Sequence, residues 1–216
     1  LESAFNFHFL DQHLVLLPEK GIYWQEKKML LISDLHLGKV GHFRKEGIAV
    51  PSEMIYHDYE TLTNILHTYQ VDKLVVLGDF SHSDYNKELL LFSKWKNENR
   101  NLEVILVMGN HDILPYDFYS DLNIQIVESR LSVAPFIFSH KPITSNKTKL
   151  YNIAGHIHPS VVLKGKGRQE LKLCCFFFGK KYGLLPAFGK FTGTAKIQVR
   201  AGEEVFVVLK DRVCKV

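Results

Sequence analysis

Lys28-Met29-Leu30-Leu31-Ile32-Ser33-Asp34-Leu35-His36-Leu37-Gly38 is an apolar run of strand length that breaks into a carboxylate and an imidazole two residues apart. The pattern recurs along the chain. Val71 to Leu77 ends on Gly78-Asp79, and Leu102 to Met108 ends on Gly109-Asn110-His111-Asp112. Pro135 to Ser139 ends on His140, and Asn152 to Ala154 leads into Gly155-His156-Ile157-His158-Pro159. Short apolar runs bounded by glycine and polar residues read as buried strands. In open α/β sheets the ligand crevice lies outside the carboxyl ends of the strands, so these five distant clusters are expected to meet in one site.

The segments between and around these strands set the fold class. Pro51 opens a helix whose Ile55, Tyr59, Leu62, Leu66 and Tyr69 recur at steps of four and three. Asn86 to Asn99 reads as a second helix, with Leu91 and Trp95 on one face. Residues 13–18 and 21–25 read as short strands joined at Glu19-Lys20-Gly21. After Pro159 strands dominate: Val161 to Leu163, Leu171 to Phe178, Lys196 to Val199 and Val205 to Leu209. Helices alternating with strands first, and strands alone later, point to two packed sheets flanked by helices rather than one doubly wound sheet. With no linker, repeat or low-complexity tract, residues 1–216 read as a single domain.

Composition narrows the class. A 216-residue chain with 46% hydrophobic and 23% charged residues is ordinary for a globular protein. No stretch is apolar enough to span a bilayer, so no membrane partner is expected, and the start shows no signal-peptide pattern. Cys174, Cys175 and Cys214 are too few, and odd in number, for a disulfide framework; this fits a reducing, cytoplasmic compartment. The net charge of +4 says little alone. Its distribution says more, because Lys164, Lys166, Arg168, Lys172, Lys180, Lys181 and Lys190 share one stretch with only Glu170 against them. That stretch is either a set of solvated loops or a contact for a phosphate backbone.

Asp34, His36, Asp79, Asn110, His140, His156 and His158 offer carboxylate, amide and imidazole donors and no thiolate. The mixture suits Mn, Fe or Zn and argues against an all-oxygen calcium cage. Seven donors are too many for one ion and suit two, with a shared carboxylate giving each ion four protein ligands. Two ions about 3.5–4 Å apart can clamp the attacking and leaving oxygens of an in-line displacement and lower the pKa of a bridging water. Asp34-Leu35-His36 reads as an extended pair whose side chains share a face, as does His156-Ile157-His158. Gly78 and Gly109 allow tight turns and close backbone approach. His82 is either a supporting histidine or a substrate contact, and Arg44 either binds phosphate or pairs with a surface carboxylate. Phe188 and Phe191 read as core residues rather than as base-stacking platforms.

The five clusters in this order resemble the calcineurin-like metallophosphoesterases. The resemblance implies an αββα sandwich of two packed mixed sheets flanked by helices, and a dinuclear site. It implies that Asp34, His36, Asp79 and His158 hold one ion, and Asp79, Asn110, His140 and His156 the other, with Asp79 bridging. His111 would meet the phosphate and protonate the leaving oxygen, and Asp112 would orient His111 by accepting its other N–H. Asn110 would also touch substrate. Further strings, His42-Phe43-Arg44, Gly47 to Pro51, Gly78 to Ser83 and Leu185-Pro186-Ala187-Phe188-Gly189-Lys190-Phe191-Thr192-Gly193, resemble the bacterial ligase-associated DNA-damage-response metallophosphoesterases. This closer resemblance implies a manganese-dependent phosphodiesterase and endonuclease acting on DNA, beside a DNA ligase and a helicase. A phosphoesterase for a small substrate, such as a cyclic nucleotide, nucleotide-lipid or phosphoprotein, is the alternative. Residues 113–134 and 141–151 leave room only for modest lids, which favours a polymer.

Overall fold

The computed structural model describes residues 3–51, 54–82, 87–145, 148–167 and 169–216. Ser83, Asn86 and Arg168, and the side chain of Ile55, lie outside the described residues. A seven-stranded sheet runs in the order β1 (Phe5–Phe9), β2 (Gln12–Leu16), β3 (Ile22–Trp24), β4 (Met29–Ile32), β5 (Lys73–Leu77), β6 (Glu103–Val107) and β7 (Ile124–Val127). The first four strands pair antiparallel, and β4 to β7 pair parallel. Crossovers between the parallel strands carry α1 (Lys39–Lys45), α2 (Met54–Tyr69), α3 (Lys87–Glu98) and α4 (Tyr116–Asp121).

The second sheet contains β8 (Arg130–Val133), β9 (Phe136–Ser139), β10 (Tyr151–Ala154), β11 (Pro159–Lys164), β12 (Glu170–Phe178), β13 (Tyr182–Leu184), β14 (Ala195–Lys196), β15 (Glu204–Val208) and β16 (Val213–Lys215). Its order is β14-β11-β12-β13-β10-β9-β8, with β15 pairing β12 and β16.

Alternation along the central strands explains why they read as unbroken apolar runs. In β4, β5 and β6, Leu30, Ile32, Leu74, Val76, Val104 and Leu106 enter the core beneath the helices. Their neighbours Met29, Leu31, Val75, Leu77, Ile105 and Val107 enter the core between the sheets, against Phe136, Phe138, Phe176 and Phe206. Both faces are covered, so both sets of side chains must be apolar. The described helices all precede Asn123, and their buried residues join the first sheet alone. A smaller cluster, with Cys175, Phe177, Val205 and Val207, covers the outer face of the second sheet.

Several elements differ from the sequence reading. β1 was not expected; it forms because Phe5 and Phe9 pack against the inter-sheet core in which Phe7 is buried. The strand expected at Lys196 to Val199 is instead the two-residue β14, Ala195–Lys196, paired with Pro159 and Ser160 at the start of β11. Residues 113–134, offered as a lid, are spent on α4, β7 and the start of the second sheet.

Candidate metal centre

The ends of β4 and β5 are zipped together beyond the strands. The backbone N–H groups of Asp34, His36 and Leu37 donate to the carbonyls of Gly78 (3.1 Å), Asp79 (2.9 Å) and Phe80 (2.9 Å), and His82 donates back to Leu37 (2.9 Å). The segment after β13 joins them: Phe188 N–H donates to Ser33 O (2.8 Å) and Gly189 N–H to Asp34 O (3.2 Å). The Leu185 to Gly189 block therefore ties the second sheet to the first beside the site. Phe188 is core, as read; Phe191 is half-buried, its ring edge-on to Phe43 at 5.9 Å.

The extended reading of Asp34-Leu35-His36 and His156-Ile157-His158 is corrected by the backbone. Asp34 (φ 53°), His36 (50°), Asp79 (50°), His156 (66°) and His158 (51°) are all left-handed. Among the described residues eleven non-glycine residues have positive φ, so nearly half of this strained class falls on candidate ligands. At about 1–2 kcal/mol each, five such residues cost on the order of 5–10 kcal/mol, comparable to the stability of a whole domain. The inter-strand bonds just described hold Asp34, His36 and Asp79 there, while the His156 N–H donates to the Asp34 carboxylate (3.0 Å) and the His158 carbonyl accepts the Ala195 N–H (2.9 Å). The left-handed turn sends Asp34 and His36 toward one cleft while Leu35 and Leu37 enter the helix-side core.

Two triads converge. Asp34, His36 and His158 form one, and Asp79, His140 and His156 the other, each with ligand atoms within 4.8 Å of one another. Asp79 faces both: Oδ2 lies 3.8 Å from His36 Nε2, and Oδ1 lies 3.4 Å from His140 Nε2. Gly78, at φ 76°, lies against the His140 ring, which any added Cβ would overlap. Gly109 is likewise pressed on Asp79, where a Cβ would overlap the backbone nitrogen and Oδ1.

The donor atoms fit cations. The His140 Nδ1–H donates to Leu77 O (2.9 Å), so in the neutral ring the Nε2 lone pair faces Asp79 Oδ1 and Asn110 Oδ1 (3.1 Å). His156 Nδ1 lies 3.0 Å from the same Nε2. His158 Nδ1–H donates to Gly193 O (3.0 Å) and turns Nε2 to Asp34 Oδ1 (3.1 Å). Backbone carbonyls thus fix the tautomers that leave ligand lone pairs inward. Burial, with the Lys39 ammonium next, pushes His36 down to about 3, and burial also lowers His156. His158 goes the other way: burial opposes its charge, but the hydrogen bond and charge of Asp34 outweigh burial.

Asn110 and His111 are exposed on the turn after β6. The His111 backbone N–H donates to Asp79 Oδ1 (3.0 Å), and its ring centre lies 5.6 Å from that of His36. Asp112 differs from the expected arrangement. Its buried carboxylate accepts the backbone N–H groups of Gly109 (2.8 Å) and Ser81 (3.1 Å). Among the described residues no bond joins it to the His111 ring, so it steadies the turn carrying Asn110 and His111 instead.

The His82 ring stands 5.5 Å from His36 and 5.3 Å from His42, and its buried Nδ1 has no hydrogen-bond partner among the described residues. Arg44 is exposed in the last turn of α1 and makes no ion pair among the described residues. Lys39, which the sequence reading passed over although it follows Gly38 directly, is half-buried beside His36.

Residues 27–173 match the family model for calcineurin-like phosphoesterases. The chain belongs to the calcineurin-like phosphoesterase family. This calcineurin-like chain is similar to nuclease MPE of Pseudomonas putida, with 31% identity, a TM-score of 0.84, and coverage of 99% of this chain and 100% of that one. Yfce, a phosphoesterase from E. coli, matches at 13% identity and TM-score 0.46 over 87% of this chain and 97% of its own. A protein of unknown function from Aquifex aeolicus matches at 21% identity and TM-score 0.42 over 65% and 82%. No curated protein sequence matches the chain. As a calcineurin-like phosphoesterase with these ligand groups, the chain is a phosphoester hydrolase that uses divalent metal ions. No helix among the described residues is long and apolar enough to cross a membrane.

Proposed function

We propose that the chain is a dinuclear, manganese-dependent phosphodiesterase that cuts DNA. The observation that carries the two-ion reading is the division of the Asp79 carboxylate between the two triads. Asp34, His36 and His158 would hold one ion, and His140, His156 and Asn110 the other, with Asp79 shared. Bound there, divalent ions supply positive charge for the phosphoryl oxygens and acidify water. The chain's own residues do the rest. His111 lies at the open edge and is assigned protonation of the leaving oxygen. Asp112 fixes its turn, and Asn110, His82 and Arg44 are assigned contacts with substrate. Similarity to a nuclease over the full length supports DNA as substrate. The setting we propose from the family resemblance is cytoplasmic DNA repair beside a ligase and a helicase.

The test is incubation of manganese-loaded protein with covalently closed circular DNA, a phosphodiester dye and a phosphomonoester dye. Nicked DNA and a preference for the diester dye are expected. Brisk dye hydrolysis with intact DNA would transfer the assignment to a small substrate. His111→Ala should keep its metal yet lose about 10²–10⁴-fold in rate, and less on substrates with good leaving groups. An equal loss on good and poor leaving groups would leave His111 only positioning phosphate.

A further inference from the structure

The metal centre is open on one side, and the opening continues as a groove. Asn110 and His140 line its inner end, with Arg130 and Lys141 along a space of about 600 Å³. Ile143, Thr144 and Ser145 form a wall shared with a second space of about 460 Å³, lined by Lys149, Lys180 and Lys181. The two spaces therefore adjoin on either side of this segment. Its direction follows from topology. β9 and β10 are parallel, so the loop between them must run back from the site end of the sheet to the opposite end. β13 is parallel to β10, which puts the Lys180-Lys181 turn just before it at that opposite end. A strand of this length spans about 13 Å, the rise of about four nucleotides along a B-form helix axis.

The charge along the two spaces is one-sided. Arg130, Lys141, Lys149, Lys180 and Lys181 are all exposed, and none is in an ion pair among the described residues. Among the described residues Glu128 is the sole acid of the lining, and it accepts the Tyr116 hydroxyl (2.7 Å). Of the acids near Tyr151, Glu203 accepts the Arg200 N–H and Glu204 pairs with Lys215. The β11–β12 hairpin is a poorer candidate. Lys164 faces Glu170 at 3.9 Å, and the tip lies a full strand beyond His158.

We infer that this groove, from Asn110 and His140 to Lys180 and Lys181, is the track on which the backbone of the DNA strand lies during cleavage. The inference rests on the DNA reading above. It names the side of the centre from which the polymer enters and the cations that neutralise its phosphates. The cations spaced along it would meet phosphates, and contact with the backbone carries little sequence preference.

The experiment compares full-length, manganese-loaded wild type with two variants: Lys149→Gln/Lys180→Gln/Lys181→Gln and Lys164→Gln/Lys166→Gln. DNA affinity is measured against salt, with metal content as the check on folding. The groove variant should bind about tenfold or more weakly at moderate salt, its salt slope smaller by about 2–3. The hairpin variant should match wild type. A groove variant with wild-type affinity and slope, while wild type binds and cuts DNA, overturns the track and leaves the nuclease reading standing. The same holds if the loss falls on the hairpin variant. A wild type that hydrolyses the diester dye but neither binds nor cuts DNA overturns the nuclease reading, and the track with it.

Discussion

The two half-sites use the same kinds of donor in opposite surroundings. Asp34 and His36, 0% and 6% exposed, are closed in by buried Leu35 and Leu37 and by the Phe188-Gly189 segment. Asp79 and His140 are as buried, at 3% and 4%, yet Asn110 beside them is exposed and opens on the basic groove. The first half-site contains its own ion pair, Asp34 with His158. The second sets His140 against Asp79 at the longer distance of 3.4 Å, and each half anchors one ring on a backbone carbonyl, His158 on Gly193 and His140 on Leu77. Burial is common to both halves, and access is what separates them: the groove proposed for the DNA strand begins on the His140 side.

The largest effect expected comes from removing the group the halves share. Asp79→Ala should lose about 10⁴-fold or more in rate, since two ions are each worth several kcal/mol to the reaction. Metal analysis should find less than one ion per chain. His36→Ala, which touches only the closed half, should keep about one. An Asp79→Ala protein that retained both ions would dissolve the distinction between a shared and a private ligand.

A backbone change bears most directly on the His140 ring of the open half. Gly78→Ala places a methyl on the His140 ring in a left-handed turn, and should cost about 2–4 kcal/mol with weaker binding of one ion. Gly202, also left-handed at φ 84° but with nothing within 4 Å, is the control; Gly202→Ala should cost about 1 kcal/mol. Equal losses in thermal melts would mean that strain, and not the His140 contact, governs the position.

The smallest effect is a pH dependence that distinguishes the halves. An ion needs His158 deprotonated, whereas Asp34 favours the protonated ring. Affinity in the closed half is therefore full above the raised pKa of His158 and falls as pH drops through it, by up to about tenfold per unit. His36 and His156 lie below their ordinary range and bring no such penalty there. Manganese titrations between pH 6 and 8 should show the ion of the closed half weakening first on acidification. Parallel weakening of both ions would contradict the role given to the Asp34–His158 pair.

Much of the centre was legible because its signal is local. Each ligand cluster follows an apolar run, and buried strands leave that mark whatever the rest of the chain does. The helices α2 and α3 were legible for the same reason. α1 was not: it is short, contains Gly41, and takes its N-terminal hydrogen bonds from Glu88, which accepts the Gly38 and Gly41 N–H groups at 2.7 Å. A cap supplied from a different helix leaves no trace beside the segment it caps.

The sequence by itself determined the donor types, their order and their placement at strand ends, and hence a centre for divalent ions between two sheets. How the donors group in space, which the resemblance implied, rests on tertiary structure, because it depends on which strand ends lie side by side. Tertiary structure also put the ligands in left-handed turns, a conformation held for Asp34, His36 and Asp79 by hydrogen bonds between the segments after β4 and β5, and for His156 by its bond to Asp34. And it decided where the positive charge lies. The seven-cation stretch is split in space, with Lys164 and Lys166 on a hairpin and Lys180 and Lys181 across the sheet, joined by Arg130, Lys141 and Lys149. Surface cations follow no period, so only the reversal of the chain between parallel strands brings them into line.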